Sequence, residues 1–402
     1  MHIAILSPSD RSYISKFLPK ENFDELPLGY SGAIFIGTII KELLAQNHTV
    51  TAITTSVALN NDYSVKSFKN GNFTWIVVPS RPHSIRMNGK KLGRIVDFFA
   101  QEIRELAKAI KSVNPDIVHA HWSYEFAGAA VKSGYPYLVT VHDNAFQVLK
   151  FLTNSYRFGR LLMSEVILRK AHYTSTVSPY MLPYVKKRCV KVKVIPNPVP
   201  VKIDEQQVEM LINERLTSLI SPKIVMVNNG WNKRKNVKVA LIAFSQLREK
   251  HPKSELHLYG NGYEIGGLAE QEANALGIKN INFYGTVSNE ELFEQLKTCH
   301  LFLHPALEES FGVVLIEAMS LGVPTIGGTN SGAVPWVINN ENLLVNVFDA
   351  LQLKNKIEHL LNDENLYATL SMQCYKNVAS RFSSLRITND YLKYYNEIIN
   401  TY

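Results

Sequence analysis

Short apolar runs alternate with longer segments of helical periodicity along almost the whole chain, and this alternation occurs twice. HIAIL (2–6), TVTAITT (49–55), TWIVVP (74–79), DIVHAH (116–121), YLVTVH (137–142) and HYTSTVS (172–178) read as strands, with GAIFIGTIIKELLAQN (32–47) and LGRIVDFFAQEIRELAKAIKSV (92–113) as helices between them. KIVMVNN (223–229), ELHLYG (255–260), NINFYG (280–285), LFLHP (301–305) and PTIGG (324–328) repeat the rhythm. Strands separated by helices predict a parallel sheet covered on both faces. Two such series predict an α/β chain of two Rossmann-like domains, with ligands at the strand C-termini. A chain of 402 residues exceeds what one ordinary core buries. Pro196-Asn197-Pro198, followed by KIDEQQ, marks the linker, so the domains are expected at 1–196 and 197–383.

Composition narrows the class. No run approaches the ~18 apolar residues of a membrane span, and MHIAILSPSD turns polar after six residues, so no secretory leader is expected. Cys189, Cys299 and Cys374 are far apart and odd in number, which argues against a disulfide framework or zinc site and fits a reducing cytoplasm. The net charge of +8 is unevenly spread: residues 1–196 hold 25 Lys and Arg against 13 acids, and the remainder 18 against 22. In RPHSIRMNGKKLGRIVDFFAQEI, Arg81, Arg86, Lys90, Lys91 and Arg94 precede an apolar stripe of Leu92, Ile95, Val96, Phe98 and Phe99; KKRCVKVK (186–193) is a second basic cluster. Basic residues beside an amphipathic helix suit peripheral contact with an anionic membrane; equally, the stripe packs on a sheet and the lysines are solvated. No nucleic-acid-binding module accompanies the charge.

The densest chemical signal is EESFGVVLIEAMSLGVPTIGG (308–328), in which Glu309 and Glu317 stand eight positions apart in an otherwise apolar run. Phe311–Ser320 reads as a helix with Ser310 as N-cap and Gly322 as its stop. Eight residues of continuous helix turn by about 80° net, so the carboxylates share a ligand more easily if Glu309 belongs to the incoming loop. A helix mouth at Gly312 favours phosphate, whereas carboxylates accept from sugar hydroxyls and repel phosphate. A nucleotide sugar has both features. The alternative is two ordinary acids, one capping and one on a solvated face, but Glu317 interrupts a nearly all-apolar helix.

The stretch resembles the E-x7-E signature of retaining glycosyltransferases of family 4, which have the GT-B fold. PTIGGTNSGAVPWVI, INFYGTVSNEELFEQLKTCHLFLHPA, VIPNPV and VTVHDN are similar to further segments of that family. The resemblance implies sugar transfer from a UDP- or GDP-linked donor, with no cofactor and no metal, to an acceptor such as a polyprenyl-linked glycan in surface polysaccharide synthesis. It implies an acceptor-binding N-terminal domain and a C-terminal helix, about 384–402, packing back on it. Glu309, Lys235 and His142 would be catalytic; Glu317 would hold the ribose, and Ser310, Phe311, Gly312 and Val313 would face the donor. Where the family has an Arg, this chain has Asn229 and Gly230. Either Arg234 supplies that charge, or Asn229 contributes a neutral hydrogen bond. Gly29 and Gly32 in PLGYSGAIF open a helix and approach a phosphate or sugar, or form a plain turn. His119 and His121 would be structural or acceptor-side, and Asp143 acceptor-side. GNGYEIGG (260–267) departs from the dinucleotide spacing by one residue, so it is expected to line the nucleotide of a sugar donor rather than NAD. A GT-B epimerase and a non-catalytic sugar-nucleotide binder remain as rivals.

Overall fold

The computed structural model describes residues 1–59 and 64–402, apart from the side chains of residues 21 and 22. It divides into two compact units, Met1–Pro198 with Ser384–Tyr402, and Val199–Ser383.

The first unit has eight strands: β1 (His2–Leu6), β2 (Thr49–Ser56), β3 (Lys66–Asn70), β4 (Phe73–Pro79), β5 (Ile117–His121), β6 (Tyr137–Val141), β7 (Tyr173–Thr176) and β8 (Lys191–Val194). Their spatial order is β3-β4-β2-β1-β5-β6-β7-β8. Only the β3–β4 pair is antiparallel. The period of two along β1 sends Ile3 and Ile5 to one face and Ala4 and Leu6 to the other. Ile3 and Ile5 pack with Ile36, Ile39, Ile40 and Leu43 of the helix Phe35–Ala45. Ala4 and Leu6 belong to the cluster of Ile103, Leu106 and Ile110 from the helix Ala100–Val113. Both faces are therefore dry, which is why the central strands read as continuous apolar runs. The C-terminal helix Ser384–Ile399 adds Ile387, Tyr391, Tyr394, Tyr395 and Ile398 to the first of these faces.

The second unit has β9 (Lys223–Val227), β10 (Glu255–Tyr259), β11 (Ile281–Gly285), β12 (Leu301–His304), β13 (Thr325–Gly328) and β14 (Leu344–Val345), in the order β11-β10-β9-β12-β13-β14. Every pair is parallel. The chain builds outward from β9 to β11, then returns to place β12 on the other side of β9. That reversal makes the C-terminal ends of β9 and β12 the place where loops diverge and leave a crevice.

Two expectations are corrected. The helix read over 92–113 starts only at Ala100, because Phe98 and Phe99 both adopt positive φ, 52° and 59°. The preceding loop is pinned from inside. The Arg81 guanidinium, 1% exposed, lies 2.7 Å from Asp97 and 2.6 Å from Glu102, and donates to the Leu92 carbonyl at 3.0 Å. Arg81 thus serves the core rather than a basic surface, and Ile95 and Phe99 are buried with it. Leu92, Val96 and Phe98 remain exposed. The second basic cluster, KKRCVKVK, is partly β8, an edge of the sheet, where lysines discourage pairing with another strand. Its Arg188 is bonded to Glu165, and its Lys193 to Glu397. Among the described residues no helix is long and apolar enough to cross a membrane.

Candidate active site

The loop leaving β9 is built by its asparagines. Asn232 caps the short turn Lys233–Lys235, its side chain accepting from the Arg234 N–H at 3.1 Å. Asn236 takes the left-handed conformation, φ 52°, that ends the turn and starts the helix Val237–Leu247. The Asn236 amide donates to the carbonyls of Pro305 and Val347 at 3.1 and 2.7 Å, and Leu307 N–H donates to the Arg234 carbonyl at 2.8 Å. These bonds tie the loop after β9 to the loop after β12. The result is to set Lys235 Nζ 3.1 Å from Glu309 Oε1, with Lys235 6% exposed.

Glu309 lies in the incoming loop, as expected from its spacing to Glu317. Its helix, however, runs only over Val313–Met319. Gly312, φ 85°, is the entry residue, so Ser310 is not the N-cap; Gly322, φ 64°, follows the helix end as expected. An added Cβ at Gly312 would lie 2.8 Å from Leu315 Cδ1, so both the backbone turn and the close packing call for glycine. Burial alone would raise the Glu309 carboxyl; Lys235, with His304 and Arg234, outweighs it and brings it down to about 2. Glu309 is therefore a permanent anion with acceptor capacity only.

A cavity of about 350 Å³ opens beside this pair, at the C-terminal ends of β9, β10, β11 and β12. Lys235, Glu309, Gly312, Val313 and Asn229 line it, together with Gly260 and Asn261 of the glycine-rich loop. Gly260 is obligatory there: a Cβ would sit 1.8 Å from the Asn228 carbonyl oxygen, at a φ of 112°. The remaining donor-side residues lie outside the lining. Phe311 is buried against Phe382 and Trp336, ring centroids 5.5 and 6.3 Å away. Arg234 Nη1 is held 3.2 Å from Glu308 and 3.9 Å from Glu309, so its charge is spent inside the loop pair. Glu317 lies four residues beyond Val313, about 6 Å along the axis, and is half-buried; its carbonyl accepts from the Ser320 hydroxyl at 2.7 Å, whereas its carboxylate is not seen in a hydrogen bond or ion pair among the described residues. Burial pushes its carboxyl up to about 7, opposed only in part by Lys202.

The cavity also holds groups that sequence reasoning missed. His304 and Asn228 line it, 1% and 4% exposed, and both ring nitrogens of His304 lack a hydrogen-bond partner among the described residues. Tyr259 and Thr286 join them from the ends of β10 and β11. Their common signal is position: each ends, or directly follows, a strand already recognisable in the sequence.

In the first unit, His121 ends β5 and His142 directly follows β6, near the corresponding reversal between β1 and β5. Their Nδ1 and Nε2 are 2.9 Å apart, with the rings stacked at 5.1 Å. Trp122, strained at φ 66°, lays its ring 4.5 Å from His142. Burial holds His142 down to about 3 and His121 well below the usual range, so both are uncharged at neutral pH. His119 is structural: its Nδ1 meets the Tyr395 hydroxyl at 2.6 Å and its Nε2 the Thr140 hydroxyl at 2.7 Å. Asp143 accepts from the Tyr124 hydroxyl at 3.0 Å. Gly29 and Gly32 do not open a helix. The helix starts at Phe35 after Ile34, and Gly29 instead lets its backbone pass Ser9, whose carbonyl oxygen would be 2.3 Å from a Cβ. No group of three or more His, Cys, Asp or Glu suited to a metal occurs among the described residues.

Comparison with known proteins adds independent findings. The family described as "Glycosyl transferases group 1" matches residues 214–377, and "Glycosyltransferase Family 4" matches 32–202. The chain is 25% identical over 382 residues to N-acetyl-alpha-D-glucosaminyl L-malate synthase of Bacillus anthracis, covering 92% of this chain and 94% of the relative. Among solved structures, sucrose-phosphate synthase from Thermosynechococcus elongatus superposes with a TM-score of 0.76 at 17% identity, over 100% of both chains. Anabaena HepE in complex with UDP and glucose gives 0.68 at 16% identity, over 99% of this chain and 100% of that one.

Proposed function

The chain belongs to glycosyltransferase family 4 and has the GT-B fold, and from that premise we propose that it moves a hexose-type sugar from a UDP- or GDP-linked donor to an acceptor hydroxyl with retention at the anomeric carbon. The observation that carries this reading is the Lys235–Glu309 pair on the wall of the cavity at the β9–β12 reversal. The two groups ask for opposite ligand chemistry side by side. Lys235 offers donors to the diphosphate, whose charge grows as the bond from the anomeric carbon to the phosphate oxygen breaks. Glu309, ionised down to about 2, accepts from sugar hydroxyls and keeps phosphate away. As the acceptor oxygen bonds the anomeric carbon on the same face, its proton passes to the departing phosphate oxygen. No side chain is needed as base. By the family resemblance His142 is assigned to sugar recognition as a neutral hydrogen-bonding group, and Glu317 to the ribose. The UDP and glucose of the HepE complex support the donor class.

The acceptor has two readings. A polyprenyl-linked glycan at the cytoplasmic face of a membrane would account for the basic first half and for the exposed Ile85, Met87, Leu92, Val96 and Phe98 beside Arg86 and Lys90. A small hydroxy acid is favoured by the relative named for L-malate, which matches nearly the whole chain. Mass spectrometry after incubation with UDP- and GDP-sugars, in the presence of either L-malate or a polyprenyl-phosphate-linked glycan in anionic vesicles, tests both. One glycosylated product with release of nucleoside diphosphate is expected. Absence of any sugar-bearing product across a wider panel of hydroxylated acceptors, with the donors left intact, would contradict the proposal.

A further inference from the structure

We infer that the His304 imidazole reads a hydroxyl of the donor sugar and so helps to set which sugar this enzyme accepts, an assignment that rests on the nucleotide-sugar reading above. His304 ends β12, lines the cavity and is 1% exposed. Both of its ring nitrogens are buried without a hydrogen-bond partner. Buried polar side-chain atoms in folded proteins are nearly always paired. Two unpaired nitrogens on one ring, on the wall of a cavity, mark a group whose partner is the ligand.

The chemistry of the ring selects the kind of ligand atom. Burial keeps the imidazole neutral, pushing it down to about 4 despite the nearby Glu309. A neutral imidazole presents one N–H donor and one lone-pair acceptor. A phosphate oxygen satisfies the donor and repels the acceptor, whereas a hydroxyl both donates and accepts. Its charged neighbours divide the cavity in the same sense. Glu309 feels His304 directly and offers acceptors only, while Lys235 offers donors only. Glu309 and His304 together therefore match a polyhydroxylated ring, and Lys235 the anionic end. Epimeric sugars differ in where a hydroxyl points, so a fixed donor–acceptor ring on a buried strand end discriminates between them.

The test is isothermal titration of wild type, His304→Leu and His304→Gln with UDP and GDP alone and with their glucose, galactose, mannose and N-acetylglucosamine conjugates. Leucine fills a comparable volume without polar atoms; glutamine restores a donor and an acceptor in a different geometry. The expected result is that His304→Leu binds the preferred nucleotide sugar at least tenfold more weakly, with affinity for the free nucleoside diphosphate within twofold of wild type. His304→Gln is expected to bind nucleotide sugars with an altered ranking of the epimers. Equal weakening of sugar conjugate and free nucleotide in His304→Leu, or no weakening of either, would overturn the assignment while leaving the donor class intact. If His304→Leu shows no cooperative melting, His304→Gln carries the test, and an unchanged ranking overturns it. A folded wild type that binds none of these nucleotides would remove the nucleotide-sugar reading and this assignment with it.

Discussion

Position 235 is where the charge balance of the cavity is decided. Three cations, Lys233, Arg234 and Lys235, stand next to one another in the chain, yet Arg234 is consumed by Glu308 and of the three only Lys235 reaches the lining. Lys235→Ala should lower kcat on the order of 10²-fold, as loss of a group that stabilises developing charge does, with Arg234→Ala affecting turnover far less. Steady-state kinetics with the preferred donor checks this; the reverse ranking would mean that Arg234 swings into the cavity during catalysis. Adjacent basic residues look alike in sequence. Their division of labour follows from Glu308, whose partner cannot be read from spacing. Glu317 offers a second residue-scale prediction through pH. Its carboxyl titrates near 7 in the native state and close to ~4.3 when unfolded, so the native state holds an extra proton between those values. Stability from this group is fully present below pH ~4.3 and is lost progressively as pH rises from there to about 7. Glu317→Gln should therefore melt within about 1 °C of wild type at pH 5 and a few degrees above it at pH 8. A difference that does not change with pH would place the carboxylate in contact with water or an unrecognised cation.

At the level of elements, what was legible followed from periodicity, and what was missed followed from backbone conformation. The apolar runs of β1, β2, β4 to β6, β9, β10, β12 and β13 were visible because strands buried on both faces have little else in them, while β7, which is YTST, and the edge strand β11 were read from the strand–helix rhythm. The hairpin strand β3 was missed although Gly71-Asn72, with Gly71 at φ 54°, is a hairpin turn signal; the flanking KSFK is too polar to suggest a strand on hydrophobicity alone. The false start of the helix at 92 arose because its apolar spacing is real, but is used by a loop folded around Arg81. The C-terminal helix shows a further limit: its tyrosines read as core, and nothing in their spacing shows that Tyr395 caps His119. With Tyr395 fully buried, Tyr395→Phe leaves His119 Nδ1 without a partner and should cost about 1–3 kcal/mol. Urea denaturation measures this, and a change below about 0.3 kcal/mol would mean the bond is replaced by another.

For the whole molecule, each unit repeats one design, a parallel sheet whose chain reversal leaves functional side chains at strand C-termini. The second unit gathers Lys235, Glu309 and His304 in this way, and the first His121 and His142. Glu309 and Lys235 could be singled out in the sequence, the first because a carboxylate is conspicuous before an apolar helix and the second because its basic run stands between a strand and a helix. His304 was not, since a histidine ending an apolar strand reads equally well as a core residue. The central claim is that this arrangement transfers a sugar with its configuration kept. Proton NMR of the reaction, following the anomeric coupling of the donor and of the new glycoside, tests it most directly. Release of nucleoside diphosphate and a product with the donor's anomeric configuration are expected, with both signals lost in Glu309→Gln. An inverted product, or an isomerised sugar released with no acceptor modified, would contradict it.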